Sequence, residues 1–314
     1  MSSDPARLFE APAKRAEWIG HRERGSSALL KVMVFVSLKL GRRASRAVLY
    51  GIALYFFLFA PAARRNSRRY LRLALGRAPT AADRFRHVLY FATCIHDRVY
   101  LVKQQYERFQ ITIDGEELMR EQLESGRGAF LMGAHLGSFE VLRSVGRRQP
   151  GLQVSMAMYE HNARKINAMM AAVDPGVKTD IVALGQIDAM LRISDRLDRG
   201  GFVGVLGDRT LSDEPLQRVN LLGARAHLPV GPMRAAAILR RPVFFMAGLY
   251  RGANRYHLVF EPIADFSATP AGQRESAIAS AIDTYAATIE RYCRSDPYNW
   301  FNFFDFWRER NDKS

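Results

Sequence analysis

The sequence predicts an α/β fold, with a mixed, largely parallel sheet flanked by helices and a hydrophobic, membrane-associating helix near the N-terminus. Three observations carry this reading. Apolar runs of strand length alternate with helix-period patterns from about residue 115 to residue 294, the rhythm of strands buried between covering helices. Two apolar runs near the end are joined by RGANR (251–255), which reads as a hairpin and makes the sheet mixed. A charge-free stretch, Ala47 to Ala63, lies between two groups of arginines.

The chain divides into an N-terminal amphipathic and hydrophobic region (1–75) and an α/β domain (76–314). Its 314 residues are enough to bury a large core, and 48% hydrophobic against 25% charged residues is ordinary for a globular protein. The charge is not ordinary: Lys+Arg 46 against Asp+Glu 31 gives +15, a surface suited to anionic lipid, nucleic acid or an acidic protein. No nucleic-acid recognition motif accompanies it, so nucleic acid is not expected as a partner. Two cysteines, Cys94 and Cys293, make neither a disulfide framework nor a zinc pattern, and a reducing compartment is expected. The first 27 residues have no apolar core of a cleavable signal peptide.

Taken in order, residues 28–40 read as an amphipathic helix broken by Lys31 and Lys39. The charge-free run 47–63 would be about 25 Å long as a helix, the short limit for crossing a bilayer. Arg42, Arg43 and Arg46 precede it, and Arg64, Arg65, Arg68, Arg69 and Arg72 follow it. Arginines on both flanks give no positive-inside asymmetry. A helix lying along, or dipping into, the cytoplasmic leaflet of a membrane fits better, with guanidinium groups at anionic headgroups. Phe85, Val88, Leu89, Ala92, Ile95, Val99 and Val102 recur at helical spacing within 81–108. Strands follow at 128–134, 153–158, 179–184, 202–207, 217–222, 243–250 and 256–262. Helices are expected at about 115–125, 138–149, 161–173, 186–199, 230–240 and 272–294.

The segment GAHLGSFE (133–140) holds the chemistry. On one helix His135 and Glu140 would lie roughly 140° apart and could not cooperate. With a strand ending near His135, Gly137 turning the chain and Ser138 capping the next helix, the two converge. His135 then stands at the C-terminal edge of a strand, where open α/β sheets place their sites. Glu140, in a first helical turn that favours negative charge, is expected to accept the imidazole N–H and steady the imidazolium. This is a base without a nucleophile of its own, so the substrate must bring the nucleophile.

HLGSFE resembles the His-x4-Asp/Glu motif of the lysophospholipid acyltransferase superfamily. Its surroundings are similar to those of its bacterial branch, the lipid A biosynthesis lauroyl/myristoyl acyltransferases, which implies a place at the cytoplasmic face of the bacterial inner membrane. The hydrophobic segment 47–63, YEHNARKIN (159–167) with Arg164, GVLGDRTL (204–211) with Asp208 and Arg209, and the aromatic DPYNWFNFFDFW (296–307) are similar to successive features of that branch. The resemblance implies transfer of a fatty acyl group from an acyl carrier protein or acyl-CoA thioester to a lipid-like acceptor. It implies no cofactor beyond the acyl thioester co-substrate and no metal. GDRT and the absence of basic residues in WFNFFDFW depart from the lipid A enzymes, and the sequence leaves the identity of the lipid acceptor open.

Beside this reading, Asp208 and Arg209 follow an apolar strand and are expected next to His135, with Arg209 holding an anion or a developing oxyanion. Gly133, Gly137 and Ser138 could offer backbone N–H groups to that oxyanion, and Arg143 and Arg164 could grip an anionic acceptor. The aromatics of 298–307 suit an acyl-chain groove, an interfacial belt or core packing. No Gly-x-Ser-x-Gly surrounds Ser138 and no His-Glu-x-x-His is present, which argues against a serine hydrolase and a zinc enzyme. The alternatives are a lipid thioesterase using the same base with water, and a non-enzymatic protein binding anionic lipid.

Overall fold

The computed structural model describes residues 27–149, 151–174, 176, 180–186, 188–209 and 214–307. The signal-peptide reading of the N-terminus, and Thr210 and Leu211 of the Asp208 motif, lie outside them. In chain order the elements are α1 (Ser27–Phe59), α2 (Pro61–Leu75), α3 (Ala81–Val102), β1 (Gln110–Asp114), α4 (Glu116–Glu124), β2 (Ala129–Gly137), α5 (Phe139–Gly146), β3 (Val154–Tyr159), α6 (Glu160–Val173), β4 (Ile181–Leu184), α7 (Ala189–Asp198), β5 (Phe202–Leu206), β6 (Leu216–Leu221), β7 (Ala224–Pro229), α8 (Gly231–Ile238), β8 (Pro242–Tyr250), β9 (Arg255–Asp265) and α9 (Arg274–Ser295).

Seven strands form one sheet in the order β1-β9-β8-β2-β5-β3-β4. β8, β2, β5, β3 and β4 run parallel, β9 turns back antiparallel to β8, and β1 runs parallel to β9. The sheet is therefore mixed and largely parallel, and RGANR makes the turn into β9. All nine residues of β8 are buried, as expected for an inner strand covered on both faces. β2 shows how the faces divide. Phe130, Met132, Ala134 and Leu136 join a core with α7, α8 and α9, whereas Ala129 and Leu131 join one with α3 and α5.

Three expectations change. The 217–222 run is not in the main sheet; as β6 it pairs with β7 in a separate antiparallel hairpin packed against α9. β1 and β7 were not expected at all. The charge-free run 47–63 is not one helix, because it breaks at Ala60 and Pro61 starts α2, with a 93° bend between the two axes. Proline lacks the N–H that would continue the ladder, and its ring clashes with the preceding turn. No single described helix is long and apolar enough to cross a membrane, but the bent pair Gly41–Phe59 and Pro61–Leu75 reaches that length and composition together.

α1 has two unlike faces. Leu49 and Ala53 are buried toward α3, while Tyr50, Leu54, Tyr55, Leu58 and Phe59 are exposed. A buried ion pair fixes the inner face: Arg42 donates Nε and Nη2 to the two carboxylate oxygens of Asp97, 2.8 Å each, and the Tyr256 hydroxyl donates to Asp97 Oδ2 at 2.9 Å. A buried carboxylate is tolerable because its oxygens are filled in this way.

Candidate functional site

Neighbouring parallel strands bring the two motifs together. β2 and β5 pair in register, Met132 with Val205 and Gly133 with Leu206, so the residues just beyond these pairs emerge side by side. The Gly207 N–H donates to Gly133 O at 2.9 Å and tightens the junction. His135 and Asp208 each lie two residues beyond the last of these pairs. The His135 imidazole Nδ1 is 2.8 Å from Asp208 Oδ1, and the His135 backbone N–H donates to Asp208 Oδ2 at 3.1 Å. The indole N–H of Trp300 donates to the same oxygen at 3.1 Å, and Arg209 Nε stands 3.9 Å away.

These groups set the protonation state. The Asp208 carboxyl is buried, which alone would raise its pKa, but His135, Arg209 and Trp300 together hold it well below the usual carboxylate range. An ionised Asp208 accepts, so Nδ1 of His135 carries the proton and Nε2 keeps its lone pair. Burial pushes the His135 pKa below its ordinary 6.5, and the Arg209 charge pushes it the same way against Asp208. The imidazole is thus neutral at pH 7. It lies deep in the fold, yet 35% of its side-chain surface is open and reachable.

The C-terminal aromatic segment closes over this pair. Leu136 and Trp300 form an antiparallel bridge, and the Phe301 N–H donates to His135 O at 2.9 Å. Arg209 Nη2 donates to Phe301 O at 2.8 Å, and the guanidinium lies 4.6 Å from the centre of the Phe304 ring. Its Nε is buried without a hydrogen-bond partner among the described residues. Asn299 spans outward from here, taking the Gly137 N–H on its carbonyl (2.8 Å) and bonding the Tyr250 backbone with its side chain.

The other expected site residues fall differently. Gly137 is the turn the sequence promised: its φ is +75°, and a Cβ there would sit 2.1 Å from Gly248 O, so no side chain fits. Ser138 occupies the N-cap position of α5, but its side chain makes no capping hydrogen bond. The Gly137 and Ser138 N–H groups donate to Asn299 O and Gly248 O, which leaves neither for an oxyanion. Glu140 does not take the imidazole N–H. It is buried in the first turn of α5 with its carboxylate 3.5 Å from Arg143, while Asp208 takes Nδ1. Arg164 is exposed on α6, 3.9 Å from Glu160. Trp300 and Asn299 were missed; a buried indole N–H needs an acceptor, which was the available signal for Trp300.

Among the described residues, no group of three or more His, Cys, Asp or Glu side chains is placed to hold a metal ion. The arrangement offers one neutral imidazole oriented by a buried carboxylate, with a guanidinium alongside. The sequence profile described as bacterial lipid A biosynthesis acyltransferase matches residues 19–309. No curated protein matches the chain.

Proposed function

Because the chain belongs to the bacterial lipid A biosynthesis acyltransferase family, we propose that it moves a fatty acyl group from an acyl carrier protein or acyl-CoA thioester to a hydroxyl or amine of a lipid-like acceptor, with His135 as the general base. The observation that carries this reading is the His135–Asp208 hydrogen bond, which leaves Nε2 as the free basic nitrogen. Nε2 removes the proton as the acceptor oxygen or nitrogen attacks the thioester carbonyl carbon. The tetrahedral oxyanion forms beside Arg209, whose charge stabilises it. On collapse the C–S bond breaks and the imidazolium returns its proton to the departing thiolate. Asp208 holds the tautomer and balances the imidazolium charge throughout.

The acceptor, a lipid, is met at a membrane. The exposed apolar face of α1 lies in the bilayer interface on the cytoplasmic side, and arginines of α2 meet anionic headgroups. On α2, Arg65, Arg68, Arg69 and Arg72 are exposed, and only Arg69 among them is paired with a carboxylate, that of Asp305, among the described residues. An acidic carrier protein would meet the same positive field.

The test is an acyl-thioester assay with and without lipid acceptor, followed by intact-protein mass spectrometry. Transfer that depends on the acceptor, with no adduct when thioester is given alone, is the expected result. Thiol release at full rate without acceptor would make the protein a thioesterase. A stable acyl adduct, on Ser138 or Cys94 for example, would mean a double-displacement enzyme.

A further inference from the structure

Away from His135, a cavity of about 380 Å³ opens between α1, α3 and the β8–β9 turn. Arg46 and Arg86 line it, together with Tyr50, Tyr90, Tyr250 and Phe85, and none of its lining residues is acidic. Neither arginine is paired with a carboxylate among the described residues. Arg46 donates Nη1 to Ala253 O at 2.5 Å, which fixes the guanidinium at the cavity wall, and Arg86 stacks on Tyr298 with 5.1 Å to the ring centre. The carboxylate next to Tyr298, Asp83, is already taken by Arg77 at 2.8 Å. On the turn itself Arg255 adds positive charge near Tyr90, while Arg251 is paired with Asp296 at 3.0 Å and the two largely offset there.

Two further observations say what this cavity faces. Tyr50 belongs both to its wall and to the exposed apolar face of α1, so the opening is continuous with that face. The ring contacts Tyr50–Phe85 and Phe57–Phe85 (6.4 and 5.8 Å between centres) extend the apolar rim toward the end of α1. Two guanidinium groups above aromatic walls, beside an apolar surface, match a phosphate whose acyl chains run along that surface. We propose that this cavity seats the phosphate headgroup of an anionic bilayer phospholipid. The inference rests on the membrane reading above and adds a discrete site to it. Asn299 bonds both Tyr250, in the cavity wall, and Gly137, at the His135 turn. A lipid held in the seat therefore sets the depth and tilt at which His135 meets the bilayer.

The experiment is co-sedimentation of the full chain with phosphatidylcholine vesicles, with and without phosphatidylglycerol. Arg46→Gln and Arg86→Gln should each lose about thirtyfold in affinity for the anionic vesicles and keep the parental affinity for phosphatidylcholine alone. That loss is the ~2 kcal/mol of a charge-assisted hydrogen bond to phosphate, rather than the smaller diffuse attraction of any surface arginine. Arg43→Gln removes the same charge from the same helix outside the cavity and should lose far less. Arg46→Lys keeps the charge but not the planar fork, and should lose part of the affinity; diffuse attraction would leave it unchanged. Equal losses for Arg43 and Arg46, or parental affinity in both glutamine variants, would overturn the seat while leaving the membrane reading standing. A parent that sediments with neither vesicle would overturn both. Inorganic phosphate at matched ionic strength competes for the same guanidinium groups and should weaken the parent's binding toward that of Arg46→Gln. Phosphate binding with no parental advantage over Arg46→Gln on anionic vesicles would assign the cavity to the free anion and reject the lipid.

Discussion

The imidazole of His135 draws on two residues that sequence spacing alone ranks behind Glu140. Asp208 lies 73 positions away and reaches Nδ1 because β2 and β5 are parallel neighbours, a pairing that apolar runs announce as strands but do not order within a sheet. The His-Gly-Ser-Glu spacing was legible as a strand–turn–helix, and Gly137 and α5 bear that out, yet it could not tell which carboxylate reaches the ring. Two substitutions separate the claims. Asp208→Asn should cut acyl transfer on the order of 10³–10⁴, because an amide no longer enforces the Nδ1–H tautomer or balances the imidazolium. Glu140→Gln, whose partner is Arg143, should cost far less. The measurement is kcat/KM for each variant against the parent. Arg209 gives a prediction of opposite kind, since its charge helps keep the His135 pKa below 6.5. A general base acts unprotonated, so with His135 in that role the acid limb of kcat/KM should fall below pH 6.5 in the parent. In Arg209→Gln that limb should move to higher pH, even as the rate falls through weaker oxyanion support.

At the scale of elements, long apolar runs bounded by turns were legible, and short or edge elements were not. β1 has five residues of alternating exposed and half-buried character at the sheet edge, too weak a pattern to stand out. The β6–β7 turn is Leu222-Gly223, both with positive φ, where a bulky leucine hides the usual hairpin signal. The Leu222 N–H donates to Glu290 of α9 at 2.6 Å, a tertiary contact that helps hold this conformation. The clasp between α2, α3 and the C-terminal segment was also invisible. His87 Nε2–H donates to Trp300 O at 2.8 Å, and Nδ1 accepts from the Ser67 hydroxyl at 2.8 Å. Burial pushes the His87 pKa down to about 4. The unfolded chain, with a histidine near 6.5, then binds the proton more readily than the folded one. Stability is full above pH 6.5 and falls as pH drops toward 4, by about 3 kcal/mol at most from this residue. Thermal unfolding midpoints measured from pH 7 to pH 4 should show this decline. His87→Gln, which cannot titrate, should flatten that part of the curve even if its midpoint at pH 7 is lower.

For the whole molecule, the N-terminal region and the α/β body are physically joined. Leu49, Ala53, Tyr70 and Leu71 are buried, and Arg42 is locked to Asp97, so removing α1 and α2 would open the core. The apolar outer face of α1 is the part that can be changed without that damage. Leu54→Gln together with Leu58→Gln should release the protein from membranes on fractionation while leaving its circular dichroism and soluble-substrate turnover near parental values. Retention in the membrane pellet by that variant would place the attachment elsewhere. The charge-free run announced an apolar surface in the sequence. What it could not announce was that Pro61 would break the run and that one side of α1 would serve the core. The most direct measurement of the central claim is the rate of acyl transfer from a soluble acyl thioester to a lipid acceptor by His135→Ala, with membrane binding monitored in the same samples. The account predicts a fall on the order of 10²–10⁴ with unchanged binding and fold; a variant that binds, folds and transfers within a few-fold of the parent would contradict it.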